Sequence, residues 1–359
     1  MQGAFLPEWI GAAIALAVLS AFSYIQFRQT ALAAATAFAP LPGFLLGIAL
    51  HAPLQPLGYL CGFIIADILL SVVQTKICDG ASPADAIRQT IDSAGGVVIW
   101  PLALVMAATA TLSTEFGLAN LMLALLVLLG CASALGVAFL AARYFPHDDE
   151  FIVRANRLRE RCERWLDGLA FVVQPRWGWS VSDVALIFAV LGYFGGRNAG
   201  AAWPFSTIVL SAEVALFAIV AFAASRNVRR AIAFLLTVAV LAFVAFWVSG
   251  RLTMTPLELV LAIAVSAMPA FTMVIQSAKF ARTGDATAVA ALRASEQLAI
   301  PIAFFCLASP IALLALGAVG DAILIASGGV AALIVFPAIT TAIHDLFPPR
   351  VSLDAYRIR

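Results

Sequence analysis

Two acidic side chains stand in the middle of long apolar runs, where an acid is costly to keep and useful for moving protons. Asp67 lies in Gly62-Phe-Ile-Ile-Ala-Asp-Ile-Leu-Leu-Ser71 and Glu213 in Ile208-Val-Leu-Ser-Ala-Glu-Val-Ala-Leu216. At a rise of about 1.5 Å per residue, each is roughly half a bilayer from either water surface. An ionised carboxylate facing lipid there costs several kcal/mol, so it must face protein, hold a proton, or both. The chemistry this suggests is proton binding and release at Asp67. Glu213 is a second proton-coupling candidate, relaying with Asp67 or meeting a cationic or hydroxylated substrate. The plainer alternative for both is interhelical hydrogen bonding without transport. Asp183, Glu258 and Asp321 fall at the ends of apolar runs, where water or a helix amino terminus can solvate them, and read as anchors.

These acids need membrane helices to position them, and the composition supplies them. The chain of 359 residues is 63% hydrophobic and 11% charged, with a mean hydropathy of +1.01. An integral membrane protein is the only class that fits. Runs long enough to cross the hydrocarbon core read at 8–27, 30–50, 56–75, 94–113, 118–142, 182–196, 203–224, 229–249, 256–277, 297–317 and 321–344. The expected fold is therefore all-α, with eleven transmembrane helices. Charge placement agrees. With the amino terminus outside, only Arg197 and Arg251 of the 21 basic residues face outward, as the positive-inside rule requires. The amino terminus is expected in the periplasm of a bacterial inner membrane and the carboxyl terminus in the cytoplasm.

The chain also repeats itself. Pro56, Lys76, Gly80, Arg88, Gly117 and Phe145-Pro146 are echoed by Pro256, Lys279, Gly284, Arg293, Gly320 and Phe347-Pro348, an offset of about 203 residues. Such spacing marks a duplicated bundle. The expected units are a first membrane repeat of five helices at 1–144, a connector at 145–180, a linking span at 181–200, a second five-helix repeat at 201–347 and a cytoplasmic tail at 348–359. Five is odd, so two like-oriented repeats need one extra crossing, and the short run at 182–196 provides it. In the connector, Leu158, Cys162, Trp165, Leu166 and Leu169 recur at helical spacing among Arg154, Arg157, Arg159, Arg161 and Arg164, which reads as an amphipathic helix on the cytoplasmic face.

The two copies differ at the acid. Opposite Asp67 the second copy reads Ser266-Ala-Met-Pro-Ala-Phe-Thr272, with no ionisable group. Pro269 removes a helix hydrogen bond and frees a carbonyl, so Ser266, Pro269 and Thr272 are the expected helix-interface partners of Asp67 if the two helices meet. Trp100-Pro101 and Ser309-Pro310 are candidate hinges. Phosphate-loop, haem and metal–diphosphate patterns do not occur, and the five cysteines show no metal-ligand spacing. No cofactor, metal or nucleic acid is expected, and no enzymatic activity.

The Asp67 helix, Lys76, the Gly80-Ala-Ser-Pro-Ala-Asp-Ala-Ile-Arg88 loop, Ala94-Gly-Gly-Val-Val-Ile-Trp100 and the following Thr109 and Thr111 resemble the fourth and fifth helices of the RND superfamily, especially its MMPL branch. The resemblance implies a proton-coupling aspartate at Asp67. Three departures stand out: Ile68 replaces the family's tyrosine, the first RND helix has no counterpart, and Arg197–Ala202 stands where a second porter domain would be. The function it implies is a proton-coupled inner-membrane transporter, or the membrane subunit of one, exporting a lipid or another hydrophobic molecule. A separate periplasmic subunit and a second copy of the chain are the expected protein partners. The alternative is a non-catalytic membrane scaffold derived from a transporter core.

Overall fold

A computed structural model describes residues 8–27, 30–49, 55–91, 207–249, 252, 256–282 and 287–346, with 99–101, 103–105, 108, 136 and 140 in addition. All regular structure among the described residues is helical. The helices are α1 (Glu8–Phe27), α2 (Thr30–Phe38), α3 (Leu41–Ala49), α4 (Gln55–Cys78), α5 (Thr207–Ser225), α6 (Val228–Ser249), α7 (Pro256–Arg282), α8 (Thr287–Ala315), α9 (Val319–Val330) and α10 (Phe336–Leu346). Six stretches among them are long and apolar enough to cross a membrane, so the protein is a multi-pass helical membrane protein. The expected spans at 94–113, 118–142 and 182–196 lie wholly or largely outside the described residues, as does the connector at 145–180.

Local sequence sets where these helices begin and stop. Pro56 and Pro256 sit in the first turns of α4 and α7, where a missing N–H costs nothing. Lys76, and Lys279 with Arg282, lie in the last turns, where the helix dipole favours positive charge. After α4 the chain turns through Gly80, whose φ of 92° suits glycine. Ser82 then caps the helical stretch at 83–91 by accepting from the Asp85 N–H at 3.2 Å. Asn227 does the same for α6, its Oδ1 accepting from the N–H groups of Arg229 and Arg230.

The run expected as one span at 30–50 is instead two helices, α2 and α3. Pro40 and Pro42 each lack an N–H, and their rings crowd the preceding turn, so the ladder breaks at Ala39-Pro40 and resumes with the Phe44 N–H donating to the Pro40 carbonyl. The run at 321–344 also departs from a plain α-helix: a π-turn at Ala331–Val335 separates α9 from α10.

Packing places α4 and α7 at the centre. Each has 83% of its span buried, against 33% for α1 and 39% for α6, so these two are the helices the others enclose. They pack against each other, and α8 packs against α1, α4, α7 and α9. The contacts also give direction. Gly11 meets Ala315 and Phe22 meets Phe304, so α1 and α8 run antiparallel. Gln26 meets Ser71 and Gln74 meets Phe27, so α1 and α4 run parallel. Lipid tails are as apolar as the side chains, so close packing rather than water expulsion holds this bundle. Ring contacts serve that purpose between α4 and α8 (Phe63–Phe305, 6.4 Å) and between α6 and α7 (Phe234–Phe271, 5.0 Å). Each is worth about 0.5–1.5 kcal/mol.

Candidate functional site around Asp67

Asp67 sits near the middle of α4, the more enclosed of the first two long spans, and is 1% exposed. Its neighbours along α4, Ile64, Ile65, Ala66, Ile68, Leu69 and Leu70, are all buried too, so the helix is wrapped by protein on every side at this depth. Neither carboxyl oxygen has a hydrogen-bond partner among the described residues. A buried polar group left in that condition costs about 1–3 kcal/mol, more if charged, and natural proteins keep one only for a reason.

Among the described residues, α2 and α3 pack apolar surface on α4, with Ala39 at their junction against Ala66, and polar or titratable groups come from α1, α7 and α8. From α1, the Gln26 side chain faces Asp67 and donates to Ser71 Oγ at 2.8 Å, one turn further along α4. From α8, Cys306 is close enough to feel the Asp67 charge, and Phe305 stacks on Phe63, four residues before the acid. From α7, the expected partners are buried but turned inward. Ser266 donates to the Ala262 carbonyl and Thr272 to that of Pro269, each within its own helix. The Ser266 backbone packs against Gly328 of α9, where no side chain would fit. Pro269 lies inside α7 without ending it. Glu213 falls within α5, and its side chain lies outside the described residues.

Sequence reasoning missed two features here. Gln26, the last residue but one of the first apolar run, was not singled out from the sequence, yet it is 4% exposed. Its spacing from Ser23, matched by Asp67, Ser71 and Gln74 on α4, was the available signal. Asp321, taken as a solvated anchor, is 4% exposed in the first turn of α9, with one carboxyl oxygen unpartnered among the described residues and Glu258 of α7 nearby. At the opposite end, Lys76 and Lys279, which occupy matching places in the two sequence repeats, lie near enough for their charges to interact.

No protein family matches the chain, and no curated protein sequence does. Solved structures do. The crystal structure of SecDF, a translocon-associated membrane protein from Thermus thermophilus, aligns with a TM-score of 0.67 and 12% identity over 94% of this chain. A crystal structure of SecDF in a super-membrane-facing form aligns with a TM-score of 0.58, again at 12% identity, over 98% of this chain. The chain spans 62% and 64% of the lengths of those two proteins. The chain thus shares the helical membrane fold of these two structures.

Proposed function

We propose that the chain is a proton-coupled inner-membrane transporter, or the membrane subunit of one, in which Asp67 is the proton-carrying group. The observation that supports this best is a fully enclosed carboxyl group, without a hydrogen-bond partner among the described residues, on one of the two central helices. A group so placed changes its charge only when a proton arrives or leaves. That change alters the packing that the surrounding helices prefer, which is how a two-state bundle is biased. The SecDF likeness supports the fold such a device requires. The central pairing of α4 with α7 supports the parallel duplication, since these are the third helices of the two expected five-helix repeats.

On this reading the cargo is a lipid or another hydrophobic molecule, following the MMPL resemblance, with a separate periplasmic subunit handling it beyond the membrane. Replacing Asp67 by Asn in the cognate strain and measuring export tests the reading. Loss of export with normal protein levels is the expected outcome, and unchanged export sinks it.

A scaffold reading draws on the missing acid of the second copy, where Ser266 to Thr272 carry no ionisable group. Stable capture of a partner by a chain indifferent to both Asp67→Asn and Glu213→Gln would favour it.

A further inference from the structure

The polar side chains of α4 are not scattered. Asp67, Ser71, Gln74 and Thr75 recur at i, i+4, i+7 and i+8, which places them on one stripe of the helix, and Ser23 and Gln26 form a matching stripe on α1. The structure brings the two stripes together. Gln26 Nε2 donates to Ser71 Oγ at 2.8 Å, and Gln74 Nε2 donates to the Phe27 carbonyl at the end of α1 at 3.1 Å. Thr75 Oγ1 donates to the Ser71 carbonyl at 3.0 Å. Ser23 and Gln26 are 1% and 4% exposed, and Ser23 Oγ, like the Asp67 oxygens, has no partner among the described residues. From Asp67 to Gln74 the stripe covers about 10 Å towards the Lys76 end of α4.

Among the described residues, the other helices packed on α4 show no comparable stripe: α2 and α3 meet it with apolar surface, such as Ala39 at their junction on Ala66. On α7 the hydroxyls of Ser266 and Thr272 are spent within their own helix. On α8 the titratable group facing Asp67 is Cys306. Lys76 and Lys279 stand near each other at the end of the bundle expected to face the cytoplasm. Orphan buried oxygens beside a hydrogen-bonded amide and hydroxyl are the setting in which buried water is held.

We infer that the α1–α4 seam formed by Gln26, Ser71 and Gln74 is the inner half of the proton route, connecting Asp67 with the cytoplasmic face. The inference rests on the proposed role of Asp67. The neutral carboxyl gives its proton to water held by Ser71, and the proton passes along the seam to the inner solvent. The carboxylate left behind accepts from Gln26, whose amide has two N–H donors and uses one of them on Ser71. Gln26 is thus a positioning residue that stabilises the charged state of Asp67.

Carbodiimide labelling reads this directly, because dicyclohexylcarbodiimide reacts with protonated carboxyl groups in membranes. Labelling of Asp67 is followed by mass spectrometry in inside-out and right-side-out vesicles after an acid shift of the external buffer. In inside-out vesicles the wild-type response is prompt, and in Gln26→Leu with Ser71→Ala it slows about tenfold, equivalent to 1.4 kcal/mol. The response in right-side-out vesicles stays as in wild type, and the purified variant loses no more unfolding stability than one interhelical hydrogen bond is worth. Ser71→Thr, which keeps the hydroxyl, retains the prompt response. A double variant that follows inner-side pH at the wild-type rate overturns the inference and leaves the role of Asp67 standing. A double variant that unfolds earlier yet responds normally shows helix adhesion only. Wild-type labelling blind to pH on both sides defeats the role of Asp67 itself.

Discussion

Gly328→Ala is the sharpest structural probe of this bundle. A β-carbon at Gly328 would meet the backbone of Ser266 on α7: the carbonyl oxygen at less than any real contact distance, and the carbonyl carbon and Cα at 3.0 Å each. Ordinary carbon contacts lie near 3.5–4.0 Å, so α9 must retreat from α7 by roughly 0.5–1 Å, and a gap of that size forfeits a quarter to a half of each dispersion well along the contact. Backbone cannot rotate out of the way as a side chain can. Overpacking of this kind costs about 1–3 kcal/mol. The neighbouring Gly329→Ala clashes instead with the Cys306 side chain, so combining it with Cys306→Gly should recover most of its loss, whereas no side-chain truncation should rescue Gly328→Ala. Thermal unfolding in detergent measures both. A Gly328→Ala protein as stable as wild type would refute the close α7–α9 contact and the packing argument built on it.

Three further outcomes follow from the same geometry. Asp67→Asn should leave thermal unfolding within about 1 kcal/mol of wild type, because the carboxyl it replaces has no partner among the described residues to lose; a drop of several kcal/mol would reveal a structural role instead. Phe63→Leu and Phe305→Leu should show a coupling of about 0.5–1.5 kcal/mol in a double-mutant cycle, and additive losses would contradict the stacked α4–α8 contact. Gln276→Leu should cost about 0.6–1.7 kcal/mol by breaking the hydrogen bond from Gln276 to Gln297 that ties α7 to α8, read by unfolding in detergent.

Much of the fold was readable because membrane helices obey a single strong rule: an apolar run must be long enough to cross. The six long helices all fall on expected runs. What the rule does not carry is continuity within a run. Hydropathy is blind to Pro40 and Pro42 breaking a ladder, and to the π-turn at Ala331–Val335, since neither changes how apolar the segment is. The burial of Asp67 was legible for the same reason as the helix that holds it. Its companions were not. The repeat pointed to the matching helix, and α7 does pack on α4, but the Ser266 and Thr272 hydroxyls satisfy their own backbone, a choice set by rotamers that spacing cannot fix. Gln26 comes from a helix adjacent only in three dimensions, and finding it required the parallel register of α1 and α4.

The central claim is that Asp67 carries protons across the bundle. Reconstituting the purified protein in vesicles with an enclosed pH dye, imposing a membrane potential, and comparing wild type with Asp67→Asn and Asp67→Glu tests it most directly. The account predicts proton flux in wild type, partial flux in Asp67→Glu and none above empty vesicles in Asp67→Asn. Equal flux in wild type and Asp67→Asn, or none in either, would contradict it.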